Sequence, residues 1–236
     1  MRPWLAIPIE ECGEPLVALP AAAFAFTVPH PYQAQGAPYG GASPWMLRQG
    51  VLAALLDAQA ALDARRPGWR LKLFDAYRPV AVQSFMVWQE FLKQARLAGV
   101  SLAGYADPQT LHARQPALHD RLAATVYEFW ASPSDDPATP PSHSTGAAVD
   151  LTLQDDAGRE IDMGCPIDET TERAYPDHYA GAMHPAQQAC HAHRVLLNDV
   201  MTAAGFCRHP NEWWHFSMGD QIWAWMNATT APYGRA

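Results

Sequence analysis

Residues 142–151, SHSTGAAVDL, place His143 and Asp150 seven positions apart around Gly146 and run directly into an apolar, β-prone segment. In the strand this implies, AAVDLTL over 147–153, Ala148, Asp150 and Thr152 share one face while Val149, Leu151 and Leu153 share the other. A histidine on a loop and a carboxylate on the strand that follows can both face one point. The pair is either an ordinary hydrogen-bonding couple or two ligands of a metal whose third ligand lies elsewhere in the chain.

Upstream, LKLFD (71–75) alternates as a half-buried strand. Pro79 then opens a helix in which Phe85, Trp88, Phe91, Leu92 and Ala95 recur at helical spacing until Gly99, leaving Ala76, Tyr77 and Arg78 at a strand-to-helix junction. Earlier, Ser43-Pro44 has the form of an N-cap followed by proline at the first helical position. The helix it would start ends near Arg66, with Leu52, Leu55, Leu56 and Leu62 on one face. Residues 1–42, rich in Pro, Gly and Ala, form an irregular N-terminal segment packed on a single domain spanning 1–236. Between 101 and 141, a helical turn or two around RLAATVYEFW leads to the loop ASPSDDPATPP, which delivers the chain to His143.

Downstream, QDDAG supplies a turn and EIDMG (160–164) a returning strand. The polar, irregular residues 165–185 have the length of a functional excursion and could cover a site. A helix near Ala186–Ala204, stopped by Gly205, leads to FCRHPNEWWHFSM, a last strand pair.

Composition bounds the function. Hydrophobic residues make up 49% of the 236 and include nine tryptophans, enough for a core without disulfides. Cys12, Cys165, Cys190 and Cys207 contain no CxxC pair and read as reduced thiols in a cytoplasm. A formal charge of −8, with 16 Lys and Arg and no basic run, argues against nucleic acid as a partner. No run of 18 apolar residues predicts a membrane span, and Pro8, Glu10 and Glu11 interrupt the first apolar run too early for a secretory leader. A cytoplasmic location is therefore expected.

Four groups carry candidate chemistry: His143 with Asp150, Glu212 with His215, Arg78 in DAYRP, and the helix bearing His184, His191 and His193. His143, Asp150 and His215 together make an N/O set suited to Zn2+ with one position left for water. Glu212, three residues before His215, can sit beside that water without being a ligand, where a carboxylate relays a proton to the leaving amine. Each element also has a plainer reading. EWWH is equally an aromatic strand with polar ends, and Arg78 a salt-bridge partner of Asp75. HAH (191–193) looks metal-like, but helix residues two apart point about 200° from each other. Solvated histidines are the better reading there, and likewise for His30, His112, His119, His178 and His209.

The combination lifts the metal reading. Asp75, Tyr77, Arg78 and Pro79 match DxYRP, Ser142, His143, Gly146, Ala148 and Asp150 match SHxxGxAxD, and Glu212 and His215 match ExxH. With the helix after Arg78-Pro79 and the MGxxxD piece at Met163, Gly164 and Asp168, these residues resemble the zinc D-Ala-D-Ala dipeptidases of the VanX type, within the wider zinc D,D-peptidases, over about Trp69 to Met218. The resemblance implies one Zn2+ per chain on His143, Asp150 and His215, with Glu212 as general base and then acid. It implies Arg78 as oxyanion stabiliser, Asp168 as receptor for the free ammonium of a dipeptide, and Ser142 at the pocket wall.

It also implies an α+β fold: an antiparallel central sheet with packed helices, the zinc at the sheet face, and loops closing a small cavity. The expected activity is hydrolysis of a short D,D-dipeptide, D-Ala-D-Ala above all. The rivals are a peptidoglycan D,D- or L,D-carboxypeptidase with the same metal site in an open groove, and a binding module that keeps the zinc fold without turnover. This chain departs from the family at residues 1–42, at ASPSDDPATPP, at Pro141 where a serine is usual, and over 170–185. Each of these segments could line the pocket.

Overall fold

The computed structural model describes residues 2–236. Its N-terminal part holds β1 (Leu16–Ala18), β2 (Ala25–Phe26), α1 (Pro31–Ala34), β3 (Met46–Arg48) and α2 (Gln49–Arg65). There follow β4 (Arg70–Asp75), α3 (Val80–Leu97), α4 (Pro108–Arg114), α5 (Pro116–Phe129) and β5 (Ala148–Gln154). The C-terminal part holds α6 (Pro185–Ala203), β6 (Cys207–Arg208), β7 (His215–Ser217) and α7 (Gln221–Met226). The fold is α+β. Its central sheet runs β2-β4-β5-β7-β6, antiparallel except for the short parallel edge pair β2–β4, and β1 and β3 form a separate antiparallel pair.

The register of the central sheet separates core from site. Leu71 pairs with Leu153, Leu73 with Leu151, and Phe216 with Val149. These side chains share one face and are fully buried in a cluster with α2 and α6, including Leu55, Leu62, Leu197 and Val200. Between Leu73 and Asp75 the register shifts by a bulge, so that Asp75 lies opposite Asp150. Without that extra residue, strict alternation would keep Asp75 on the apolar face with Leu71 and Leu73. The bulge moves it to the face of Asp150, which in turn pairs with His215. Three polar residues from three strands thus form a row across the sheet, opposite the core. A second apolar cluster, built from α3, α4 and α5 with Tyr32 and Tyr39, stands beside this row.

Several boundaries differ from the sequence reading. Ser43 does accept from the Trp45 N–H at 3.1 Å, but α2 starts only at Gln49, because Met46–Arg48 are drawn into pairing with β1. The buried face of α2 is Val51, Ala54, Leu55, Ala58 and Leu62, while Leu56 is 39% exposed. EIDMG makes one isolated bridge, Gln154 to Glu160, in place of a strand. The region after Gly99 holds two complete helices, more than the turn or two expected there, the first with an Asp107–Thr110 capping box.

His143 reaches the site on a 3₁₀ turn, Ser142–Thr145, ended by Gly146 at φ 72°. A Cβ on Gly146 would lie 2.2 Å from Leu16 Cδ2. We expect Gly146→Ala to lose about 2 kcal/mol, mostly from the left-handed backbone, measurable as a lower denaturation midpoint; an unchanged midpoint would show that the turn is not needed in this form.

Candidate active site

The sheet register and the 3₁₀ turn bring His143, Asp150 and His215 together. His143 Nε2 lies 3.1 Å from Asp150 Oδ2 and 3.1 Å from His215 Nδ1, and His215 Nδ1 lies 3.0 Å from Asp150 Oδ1. Donors bound to a tetrahedral ion at about 2.0–2.2 Å stand about 3.3–3.6 Å from one another. The observed spacing is a few tenths of an ångström shorter, within a small side-chain adjustment of that range. His143 Nδ1 donates to the Ala76 carbonyl at 2.8 Å, which fixes the ring and leaves a lone pair on Nε2. His215 Nε2 is buried without a partner among the described residues. A proton on His215 Nδ1 could satisfy only one of its close contacts, whereas a divalent cation would take His215 Nδ1, His143 Nε2 and the Asp150 carboxylate together, leaving the ring proton on His215 Nε2. The residues therefore fit a metal. The two imidazoles outweigh the penalty of burial at Asp150, so its carboxyl is held far below the ordinary carboxylate range.

Glu212 precedes β7, and its carboxylate oxygens lie 3.9 Å from His215 Nδ1 and 3.9 Å from His209 Nδ1. It stands beside the cluster without joining it. Burial, reinforced by the charges of Asp150 and Asp168, raises its pKa well above the usual value. His209, which the sequence reading left in solvent, is buried here and packs edge-on against the His215 ring at 5.4 Å. Burial followed by His215 and Arg2 keeps it strongly in its neutral form.

Arg78 lies buried at the start of α3. Its Nε donates to Asp75 Oδ2 at 2.9 Å and its Nη1 to Gln83 at 2.8 Å, while Nη2 reaches Tyr32 Oη at 3.1 Å and Asp150 Oδ2 at 3.3 Å. The salt bridge to Asp75 and a position facing the cluster are thus one arrangement. Asp75 also accepts from His30 Nε2 at 3.0 Å and from Tyr39 Oη at 3.3 Å. Arg78, His30 and His143 together overcome burial and hold the Asp75 carboxyl below its usual range. His30, expected in solvent, is buried because it caps α1 through Nδ1 and donates to Asp75 through Nε2. An isolated histidine among prolines carries no signal of that role.

A cavity of about 310 Å³ opens beside the cluster, walled by Arg78, Ser142, His143, Asp150, Asp168, Glu212 and His215 and by Trp130, Trp214 and Asp220. Asp168, at φ 66°, points into it and accepts from Tyr32 Oη at 2.9 Å. Ser142 lines it with its hydroxyl committed to Asp220, which also receives Ser217 Oγ at 2.7 Å. Neither Tyr32 nor Asp220 was found by sequence motif. The segments that set this chain apart contribute wall: Arg2, Ser134, Pro141 and Thr170 all line the cavity. The helix histidines do not; His193 instead bonds the Asp162 carbonyl at 2.8 Å.

Burial and the Asp150 charge push the Asp168 carboxyl up to about 7. The folded state therefore takes up its proton more readily than the unfolded chain, and stability attributable to this group falls as pH rises from about 4 to 7. Asp168→Asn should raise the denaturation midpoint at pH 8 and leave it nearly unchanged at pH 4. A lower midpoint at pH 8 would contradict the assignment.

Residues 26–232 match the peptidase M15 family described as D-ala-D-ala dipeptidase. The chain belongs to this family. It is 44% identical over 231 residues to the D-alanyl-D-alanine dipeptidase of Synechocystis sp. (strain PCC 6803), covering 95% of this chain and 90% of that protein. It is 32% identical over 174 residues to the Escherichia coli (strain K12) protein of that name, covering 73% and 66%. The Enterococcus faecalis counterpart shares 30% over 170 residues, 71% of each. The solved LD-carboxypeptidase LdcB shares 16% identity at TM-score 0.45, covering 94% of this chain and 77% of that one, too remote a likeness to transfer any property. As a member of the M15 family the protein is a peptidase, and its His143-Asp150-His215 cluster is a possible metal site. Among the described residues no helix is long and apolar enough to cross a membrane.

Proposed function

We propose that the protein hydrolyses D-Ala-D-Ala to two molecules of D-alanine, with one Zn2+ held by His143 Nε2, the Asp150 carboxylate and His215 Nδ1. The observation that carries this reading is the mutual 3.0–3.1 Å spacing of these donors beside Glu212, Arg78 and Asp168 in one small cavity. When bound, zinc supplies a Lewis acid that brings the pKa of a water down toward neutrality.

The chain's own groups do the rest. Asp168, ionised, takes the ammonium of the substrate and sets which end of the dipeptide enters. Arg78 directs guanidinium hydrogens to the oxygen that gains charge as the carbonyl becomes tetrahedral, and its bonds to Asp75, Gln83 and Tyr32 fix it before that charge develops. Glu212 accepts the proton of the attacking water and delivers it to the departing amine, for which its raised pKa suits both steps. Tyr32 joins Arg78 to Asp168 by hydrogen bonds and so couples the oxyanion group to the ammonium site. All four cysteines are free, which supports action in a reducing cytoplasm on small dipeptides.

The test is release of D-alanine from D-Ala-D-Ala, compared with release from a muramyl pentapeptide, by protein stripped with chelator and reloaded with Zn2+. Activity on the dipeptide that disappears on stripping and returns with zinc is expected. Preferential release from the pentapeptide would make the protein a carboxypeptidase, and release from neither would overturn the reading.

A further inference from the structure

The residues before the family match contribute a cation to the cavity. Arg2 lines it, and both hydrogen bonds of its guanidinium come from Nη2, to the Tyr127 and Trp130 carbonyls at 2.7 Å each. Nε and Nη1 have no partner among the described residues, and no carboxylate there forms a salt bridge with Arg2. Trp4 holds the segment in place, packing against His209 at 5.9 Å and Trp225 at 5.7 Å, with the Arg2 guanidinium 5.8 Å from its own ring. The other guanidinium in the cavity wall, Arg78, is ion-paired with Asp75 and Asp150 and is the group assigned above to the scissile carbonyl. Arg2 is thus a half-buried cation whose hydrogen-bond partners are carbonyls, and a cation partly withdrawn from water without a counter-charge is costly.

A dipeptide brings the missing anion. Its ammonium and its terminal carboxylate are only two residues apart, so a site that takes one end at Asp168 meets the other within the same small cavity. Trp4, beside which the Arg2 guanidinium lies, packs on His209, and His209 Nδ1 is 3.9 Å from Glu212, so Arg2 stands on the Glu212 side of the cavity. The amine Glu212 protonates belongs to the C-terminal residue, so a cation on that side faces the terminal carboxylate.

We propose that Arg2 is a specificity-determining residue that binds the C-terminal carboxylate of the substrate, so that the N-terminal segment selects substrates whose chain ends at the residue after the scissile bond. This rests on the dipeptidase reading above.

The experiment compares D-Ala-D-Ala with D-Ala-D-alaninamide, which lacks the terminal charge, for the wild-type protein, Arg2→Ala and Arg2→Lys. In wild type the acid is preferred. Arg2→Ala should raise KM for the acid with kcat little changed, and cut the acid-to-amide ratio of kcat/KM by about ten- to a hundredfold, as loss of a charged hydrogen bond predicts. Arg2→Lys should keep part of the preference, since it keeps the charge and loses the fork. If Arg2 merely braces Trp130, both substrates suffer equally and the ratio stays at its wild-type value, which would overturn the inference while leaving the dipeptidase reading intact. A wild-type protein inactive on D-Ala-D-Ala would remove that reading and this inference together.

Discussion

Glu212→Gln protein should bind zinc as wild type does and release D-alanine from D-Ala-D-Ala about a thousandfold more slowly. The carboxylate oxygens stand 3.9 Å from His215 Nδ1 and from His209 Nδ1, outside the donor cluster, so an amide of the same shape leaves the three donors undisturbed. What it removes is the ability to accept a proton and return it. General acid–base groups contribute about a hundred- to ten-thousandfold, and one residue that acts in both steps belongs toward the upper part of that range. Metal content by elemental analysis and turnover, measured on the same preparation, check the two halves. A metal-loaded variant with turnover within a few fold of wild type would take Glu212 out of the reaction, and a variant without metal would make it a ligand.

Arg78→Lys carries the second large expectation, a fall in kcat of about a hundred- to a thousandfold, the scale of losing a fixed oxyanion donor. Lysine keeps a positive charge, yet it cannot serve Asp75, Gln83, Tyr32 and Asp150 from one planar fork. Arg78→Met goes further and leaves the buried Asp75 carboxylate without its cation, which should cost about 3–5 kcal/mol of folding stability. The two variants separate placement from charge: Lys should be slow and nearly as stable as wild type, Met slow and visibly destabilised in denaturant. If Arg78→Lys turns over at the wild-type rate, the guanidinium has only a structural part.

The legibility of this chain follows from how local each signal is. Val149, Leu151 and Leu153 alternate with Asp150 and Thr152, and that period alone identifies β5 and its two faces. Asp150 could be assigned to the site face from sequence, and Asp75 could not, because the bulge after Leu73 reverses its side and bulges leave no mark in a hydrophobic pattern. Helix α2 was placed too early for a similar reason: Ser43-Pro44 has cap chemistry, but Met46–Arg48 have a strand partner 30 residues upstream that local propensity does not register. His30, Tyr32 and Asp220 escaped notice because each gains its role from long-range contacts, His30 with Asp75, Tyr32 with Asp168 and Asp220 with Ser142. Burial changed the meaning of His209 in the same way, since only the packed structure sets it against the His215 ring. The clustering of His143, Asp150 and His215 was readable because these residues sit in short motifs of fixed spacing, SHxxGxAxD and ExxH.

The central claim is most directly tested by anomalous diffraction from crystals of zinc-loaded protein. The account predicts one strong peak per chain, about 2.0–2.2 Å from His143 Nε2, an Asp150 carboxylate oxygen and His215 Nδ1, with Glu212 outside bonding distance. A peak ligated by other residues, or by His215 through Nε2 with Asp150 turned away, would contradict it.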